Sequence, residues 1–163
     1  MLNKLLINIA TLFGIGKISR APGTLATLAT IPLWYVMAQS GPIIYMTITF
    51  LFFPLGVWAA QAYENHAGTH DSKEIVIDEV VGFLITMTWL PITWQSVVLG
   101  FCLFRFFDIV KPPPIRQLDQ KIPGGFGVMV DDVAAGIISS ILMQLIYSQT
   151  NWLGMQISTL TAN

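Results

Sequence analysis

Two pairs of adjacent acids stand beside apolar runs. Asp78-Glu79 lies in "HDSKEIVIDEVVG" (70–82) and Asp131-Asp132 in "PGGFGVMVDDVAAG" (123–136). Between them, "FRFFDIVKPPPIRQLDQ" (104–120) places Arg105, Asp108 and Lys111 at three-residue spacing, then Arg116 after a triple proline. Three-residue spacing keeps side chains near one helix face. Four carboxylates in adjacent pairs repel when brought close, and a divalent cation relieves that repulsion. Mg²⁺ is a hard ion that takes carboxylate oxygen and water, commonly shared with a phosphate. Arg105, Lys111 and Arg116 would hold that phosphate, arginine through its bidentate fork. The competing reading is structural, with Asp–Arg pairs joining helices and single interfacial charges sitting among headgroups. For Glu64, Lys73, Glu74, Asp119 and Lys121 that reading is adopted.

Three further features could serve the same chemistry. Gly82 and Gly136 follow the acid pairs by about one helical turn. Small residues permit close helix approach, so the two helices could bring their carboxylates together. "APGT" (21–24), with Thr24 as helix N-cap, and "PGGFG" (123–127) each precede an apolar helix. Helix N-termini present N–H groups suited to phosphate. His70, next to Asp71, is the better of the two histidines for proton transfer.

Composition says what must position these groups. Of 163 residues, 54% are hydrophobic and only 10% charged, against about 25% charged in ordinary soluble domains. That balance points to an integral membrane protein. A net charge of −1 with eight Lys and Arg excludes a nucleic-acid binder, which needs a basic surplus. The single cysteine, Cys102, excludes an internal disulfide, and its apolar neighbours suggest a small buried side chain. No Cys-based metal site, Walker loop or nucleophile elbow is present.

The charges divide the chain. Residues 25–63, 80–104 and 133–163 contain none. The first blank predicts helices over 25–39 and 42–63. The second contains Pro91, which breaks a helix, and so predicts a hairpin of helices near 73–90 and 94–110. The last predicts a span over 128–147, and Leu5 to Phe13 reads as a short interfacial or buried helix. The expected fold is an all-α polytopic bundle of about five spans in one domain. With five crossings every cation falls on one side, the cytoplasm, as the excess of Lys and Arg in cytoplasmic loops requires. The polar clusters then meet at one membrane face.

Taken together, "APGTLATLATIPLWY", "HD" followed by "IVIDEVVG", "FRFFDIVKPPPIR" and "GGFGVMVDDVAAGIIS" resemble the phosphatidylglycerophosphatase A family over about Phe13 to Ser139. The chain departs from the family pattern at Ala26-Thr27, at Pro113 and at Gln120. The resemblance implies a Mg²⁺-dependent phosphatase of the bacterial inner membrane. It would remove the terminal phosphate of phosphatidylglycerophosphate to give phosphatidylglycerol. Asp78, Glu79, Asp131 and Asp132 would hold Mg²⁺, with Asp108 as a further ligand or orienter. Asp78, Asp131 and Asp132 are also candidates for direct catalysis, with attack by a water or by one of these aspartates as the alternatives. Three rivals remain at this point. A cation or proton transporter also carries carboxylates in its spans, but needs polar groups through to the far face. A CDP-alcohol phosphotransferase needs a DG–AR–G–D–D run, of which "VDDVAAG" imitates only the first piece. A non-catalytic membrane assembly protein would tolerate loss of the acids.

Overall fold

A computed structural model describes residues 1–18, 20–69, 72–113 and 115–154, apart from the side chains of residues 119 and 120. The described residues form eight helices and no strand. They are α1 (Leu2–Ala10), α2 (Ile15–Ile18), α3 (Pro22–Ala38), α4 (Pro42–Ala67), α5 (Ile77–Thr86), α6 (Trp94–Val110), α7 (Ile115–Lys121) and α8 (Gly124–Gln149).

The helix ends follow local chemistry. Pro22 and Pro42 start α3 and α4, where the missing N–H of proline costs nothing. Gly68, at φ +69°, closes α4 in the left-handed conformation, which only glycine adopts without strain. Thr93 caps α6 by accepting from the Ser96 N–H at 3.2 Å. The segment 80–104 is broken as expected, with Pro91 in the turn between α5 and α6.

Several boundaries differ from the sequence reading. The N-terminal helix ends at Ala10, because Leu12, Phe13 and Gly14 all take positive φ. The helix expected over 73–90 is the ten-residue α5, about 15 Å long. Its two ends, 73–76 and 87–90, are loop and turn. Helix α8 begins at Gly124, so Asp131 and Asp132 lie about two turns inside it rather than at its start. Thr24 is not an N-cap: α3 starts at Pro22 behind Ala21, and no side chain caps it. Cys102 is exposed, since it lies on the outward apolar face of α6. Glu64 is buried at 8% exposure, and Glu74 is half-buried beside Tyr63, so neither is simply solvated.

Among the described helices, α4 and α8 are long and apolar enough to cross a membrane. At 26 residues each they measure about 39 Å. The charge map expects about five spans, and helix length with composition supplies these two. Large apolar side chains remain exposed along the bundle, among them Val36, Ile43, Phe50, Trp58, Val98, Ile109 and Ile141. An apolar surface of that extent marks contact with membrane or partner.

Helix α5 is the centre of the packing. It is buried at seven of its ten positions and touches α3, α4, α6 and α8. A helix apolar on all sides belongs in a core. Its closest approach is to α8. A Cβ added at Gly136 would lie 2.5 Å from the Gly82 carbonyl oxygen, and one at Gly82 would lie 2.8 Å from the Asp132 carbonyl oxygen. The two glycines therefore set the spacing between the helices that carry the acid pairs.

Candidate active site

The N-termini of α3 and α5, the C-terminus of α6 and the first half of α8 meet at one end of the bundle. Together they enclose a cavity of about 230 Å³. Asp78, Glu79, Asp108, Asp131, Asp132, Arg105 and Lys111 all line it, with the backbone of residues 21–23 and a wall of Ser72, Lys73 and Ile75. Gly23 is required here: a Cβ would lie 1.9 Å from Glu79 Oε1 and 2.9 Å from Arg105 Nη1.

The acids separate into two kinds. Asp78, Glu79 and Asp132 can each direct one carboxylate oxygen to within 4.8 Å of the others. Asp78 Oδ1, Glu79 Oε2 and Asp132 Oδ2 are buried and have no hydrogen-bond partner. Three converging carboxylates with orphaned oxygens are costly, and a divalent cation bound by oxygen would satisfy all three. Asp108 and Asp131 form the close ion pairs, although Asp131 Oδ1 is also buried without a hydrogen bond. Asp108 is paired with Arg105, whose Nη1 also lies 3.5 Å from Glu79 Oε1. Asp131 is paired with the Lys111 ammonium.

Lys111 ends α6 in the left-handed conformation, at φ +44°. Pro112 follows and disfavours the right-handed helical alternative. A non-glycine residue there costs about 1 kcal/mol or more, and the turn leaves the ammonium on Asp131 of α8.

The remaining candidates fall elsewhere. Arg116 is exposed on α7 and does not line the cavity. Thr24 is half-buried one residue past the lining segment. His70 and Asp71 lie outside the described residues. His66 faces a separate polar cavity with Asn3, Gln61 and Asn65. The "PGGFG" glycines serve packing: the Gly125 N–H donates to Gln61 Oε1 at 3.0 Å, and a Cβ there would lie 2.4 Å from the Val57 carbonyl oxygen. Sequence reasoning passed over Ser72 and set Lys73 aside as a structural charge. Their only sequence signal was proximity to Asp78.

Among the described residues the fold and the site define an all-helical, membrane-associated protein with a buried carboxylate cluster beside Arg105 and Lys111 at one end. Comparison with known proteins narrows this class. The family model for phosphatidylglycerophosphatase A matches residues 8–147. The chain is 40% identical over 135 residues to phosphatidylglycerophosphatase A of Escherichia coli, covering 82% of this chain and 78% of that one. It is 44% identical over 133 residues to the Haemophilus influenzae protein of the same name, covering 80% and 82%. A Bacteroides thetaiotaomicron relative, provisionally named a phosphatidylinositol-3-phosphatase, is 38% identical over 143 residues, covering 83% and 89%. No solved structure matches. The chain belongs to the phosphatidylglycerophosphatase A family.

Proposed function

We propose that this protein is a lipid phosphatase that hydrolyses the terminal phosphomonoester of phosphatidylglycerophosphate, giving phosphatidylglycerol and phosphate. The observation that carries this reading is the buried trio Asp78, Glu79 and Asp132 beside Arg105 and Lys111 at one end of an apolar bundle. The names of its relatives supply the substrate.

Asp78, Glu79 and Asp132 would hold Mg²⁺, which when bound supplies Lewis acidity toward a phosphoryl oxygen. Arg105 and Lys111 bind the phosphate and stabilise the charge that develops on its oxygens. Asp108 and Asp131 hold those cations in place and are placed outside the metal set. Asp131 would also accept a proton from an attacking water when Lys111 shifts to the phosphate. Arg116 and Thr24 stand outside the cavity and are left out of this mechanism. Attack by a site aspartate in place of water would leave a phosphorylated protein, which acid-quenched labelling detects.

In the membrane, α3, α4, α6 and α8 cross, and α5 crosses together with the turn that follows it. Three observations support five crossings. Gln144 of α8 donates to the Thr88 carbonyl at 2.8 Å, and Thr93 donates to the Leu153 carbonyl at 2.7 Å. The hairpin turn therefore reaches the end of α8 remote from Asp132. Tyr35, Trp89, Trp94 and Trp152 are exposed there, as in the aromatic belt of a membrane interface. The charged cavity lies at the opposite end, which the excess of Lys and Arg assigns to the cytoplasm. This one-sidedness also disfavours a transporter, whose path must stay polar across the bundle. A single cysteine at position 117, in a Cys102→Ser background, should label from the cytoplasm; labelling from outside would overturn the topology.

The function is tested by phosphate release from purified protein, comparing phosphatidylglycerophosphate with glycerol phosphate, each with and without Mg²⁺. Release from the lipid only, and only with Mg²⁺, is expected. Equal release without Mg²⁺ would sink the metal assignment, and no release from the lipid would sink the function.

A further inference from the structure

Lys73 is the cavity-lining cation that the cleavage chemistry leaves unused. Ser72, Lys73 and Ile75 form one wall of the cavity, and that wall is fastened from behind. The Tyr63 hydroxyl donates to Glu74 Oε2 at 2.6 Å. The Val76 N–H donates to the Ala10 carbonyl at 2.8 Å, and the Ile75 N–H to the Ser72 carbonyl at 2.9 Å. Gly16 lies directly against the wall, where a Cβ would come within 2.1 Å of the Glu74 carbonyl oxygen. A surface connector is ordinarily loose; this one is held by other elements at Glu74 and Val76. Ile75 and Val76 are buried while Lys73 is exposed, so the ammonium stands at the outer lip of the cavity.

The other two lining cations are already engaged by carboxylates, Arg105 by Asp108 and Glu79 and Lys111 by Asp131. Among the described residues no carboxylate is paired with Lys73. A phosphomonoester that reaches the buried trio occupies the inner part of the cavity. The part of the headgroup behind it then lies at the lip. In phosphatidylglycerophosphate, and equally in a phosphatidylinositol phosphate, that part includes a second, diester phosphate. In phosphatidate it does not, because the single phosphate sits directly on diacylglycerol.

We propose that Lys73 binds the diester phosphate of the lipid and so selects substrates whose cleaved phosphate is carried on a headgroup polyol. The proposal rests on the lipid phosphatase reading above. It makes Lys73 a specificity-determining residue with no part in bond cleavage.

The test measures kcat and KM of the full-length protein in detergent micelles containing phosphatidylglycerophosphate or phosphatidate. The wild type is compared with Lys73→Met and Lys73→Arg. The ratio of kcat/KM between the two lipids should fall about 10-fold or more in Lys73→Met, through KM, as loss of one charge-assisted contact implies. Lys73→Arg should restore most of the ratio. An unchanged ratio, with or without an equal loss on both lipids, would overturn the assignment. A wild-type protein that cleaves neither lipid would instead overturn the phosphatase reading, and this inference with it. Unfolding is separated by the circular dichroism of each variant; an exposed side chain should leave it unaltered.

Discussion

Near the start of α8, Asp132 meets Asp78 and Glu79, and buried oxygens on all three lack partners. Near its other end, Gln144 donates to Thr88, and Thr93 of the hairpin turn donates to Leu153. The same helices α5 and α8 build both ends. At the far end neutral polar groups largely satisfy one another, with the buried Trp34 Nε1 as an exception. At the near end like charges converge, and Arg105 beside Glu79 offsets only part of that charge. Buried polar groups are normally paired, so the mismatch identifies where an external partner belongs. A structural cluster would have the character of the far end.

This comparison can be broken most severely at the trio. Asp132→Asn and Asp78→Asn should each lower kcat by about 10³-fold, in line with loss of one preorganised electrostatic element of an active site. Phosphate release from the lipid at saturating Mg²⁺ measures this, and activity near wild type in both would return the near end to a structural role. Asp131→Asn should cost about 10²-fold, because it releases Lys111 and removes the proton acceptor while leaving the metal ligands in place. Its titration with Mg²⁺ should match the wild type, whereas that of Asp132→Asn should shift to higher concentration. Coincident titrations for the two variants would erase the distinction between the neighbouring aspartates.

The next effect concerns spacing. Gly136→Ala should destabilise the fold by about 1–3 kcal/mol, the usual cost of overpacking, because the new methyl meets the backbone of Gly82. Thermal unfolding in detergent should show it, with a fall in activity from displacement of Asp132. A neutral outcome would mean that α5 and α8 are not held at this distance. The smallest effect is expected at Arg116→Ala, exposed and outside the cavity. It should change kcat/KM by less than about 2-fold, as surface substitutions do. A large loss would bring α7 into the site.

Much of the site was legible because its signals are local. Adjacent acids, the Arg105–Asp108–Lys111 spacing and the glycines at 82 and 136 can all be read without knowing the fold. The structure gathers these residues as expected. Helix α6 also ran over the expected residues, since Pro91 and Thr93 fix its start and Pro112 its end. What escaped depends on contacts between distant segments. Thr24 and Arg116 were placed by motif and by charge, but the start of α3 and the face of α7 exclude both from the cavity. Lys73 read as an ordinary solvated cation, because Tyr63, Ala10 and Gly16, which fasten its wall, lie in other elements. Cys102 read as buried, because apolar neighbours do not distinguish a core face from an outward face in an apolar bundle.

The sequence by itself determined that this is an apolar helical protein with its charge confined to a few segments, and which acids could cooperate. Composition and spacing carry that information directly, since burial preference and helical period act residue by residue. Only the tertiary structure decided which carboxylates meet each other and which meet a cation. Asp131 and Asp132 are alike in type and adjacent in sequence. About 100° of rotation separates neighbours on a helix, and that rotation gives one of them Lys111 and the other Asp78 and Glu79.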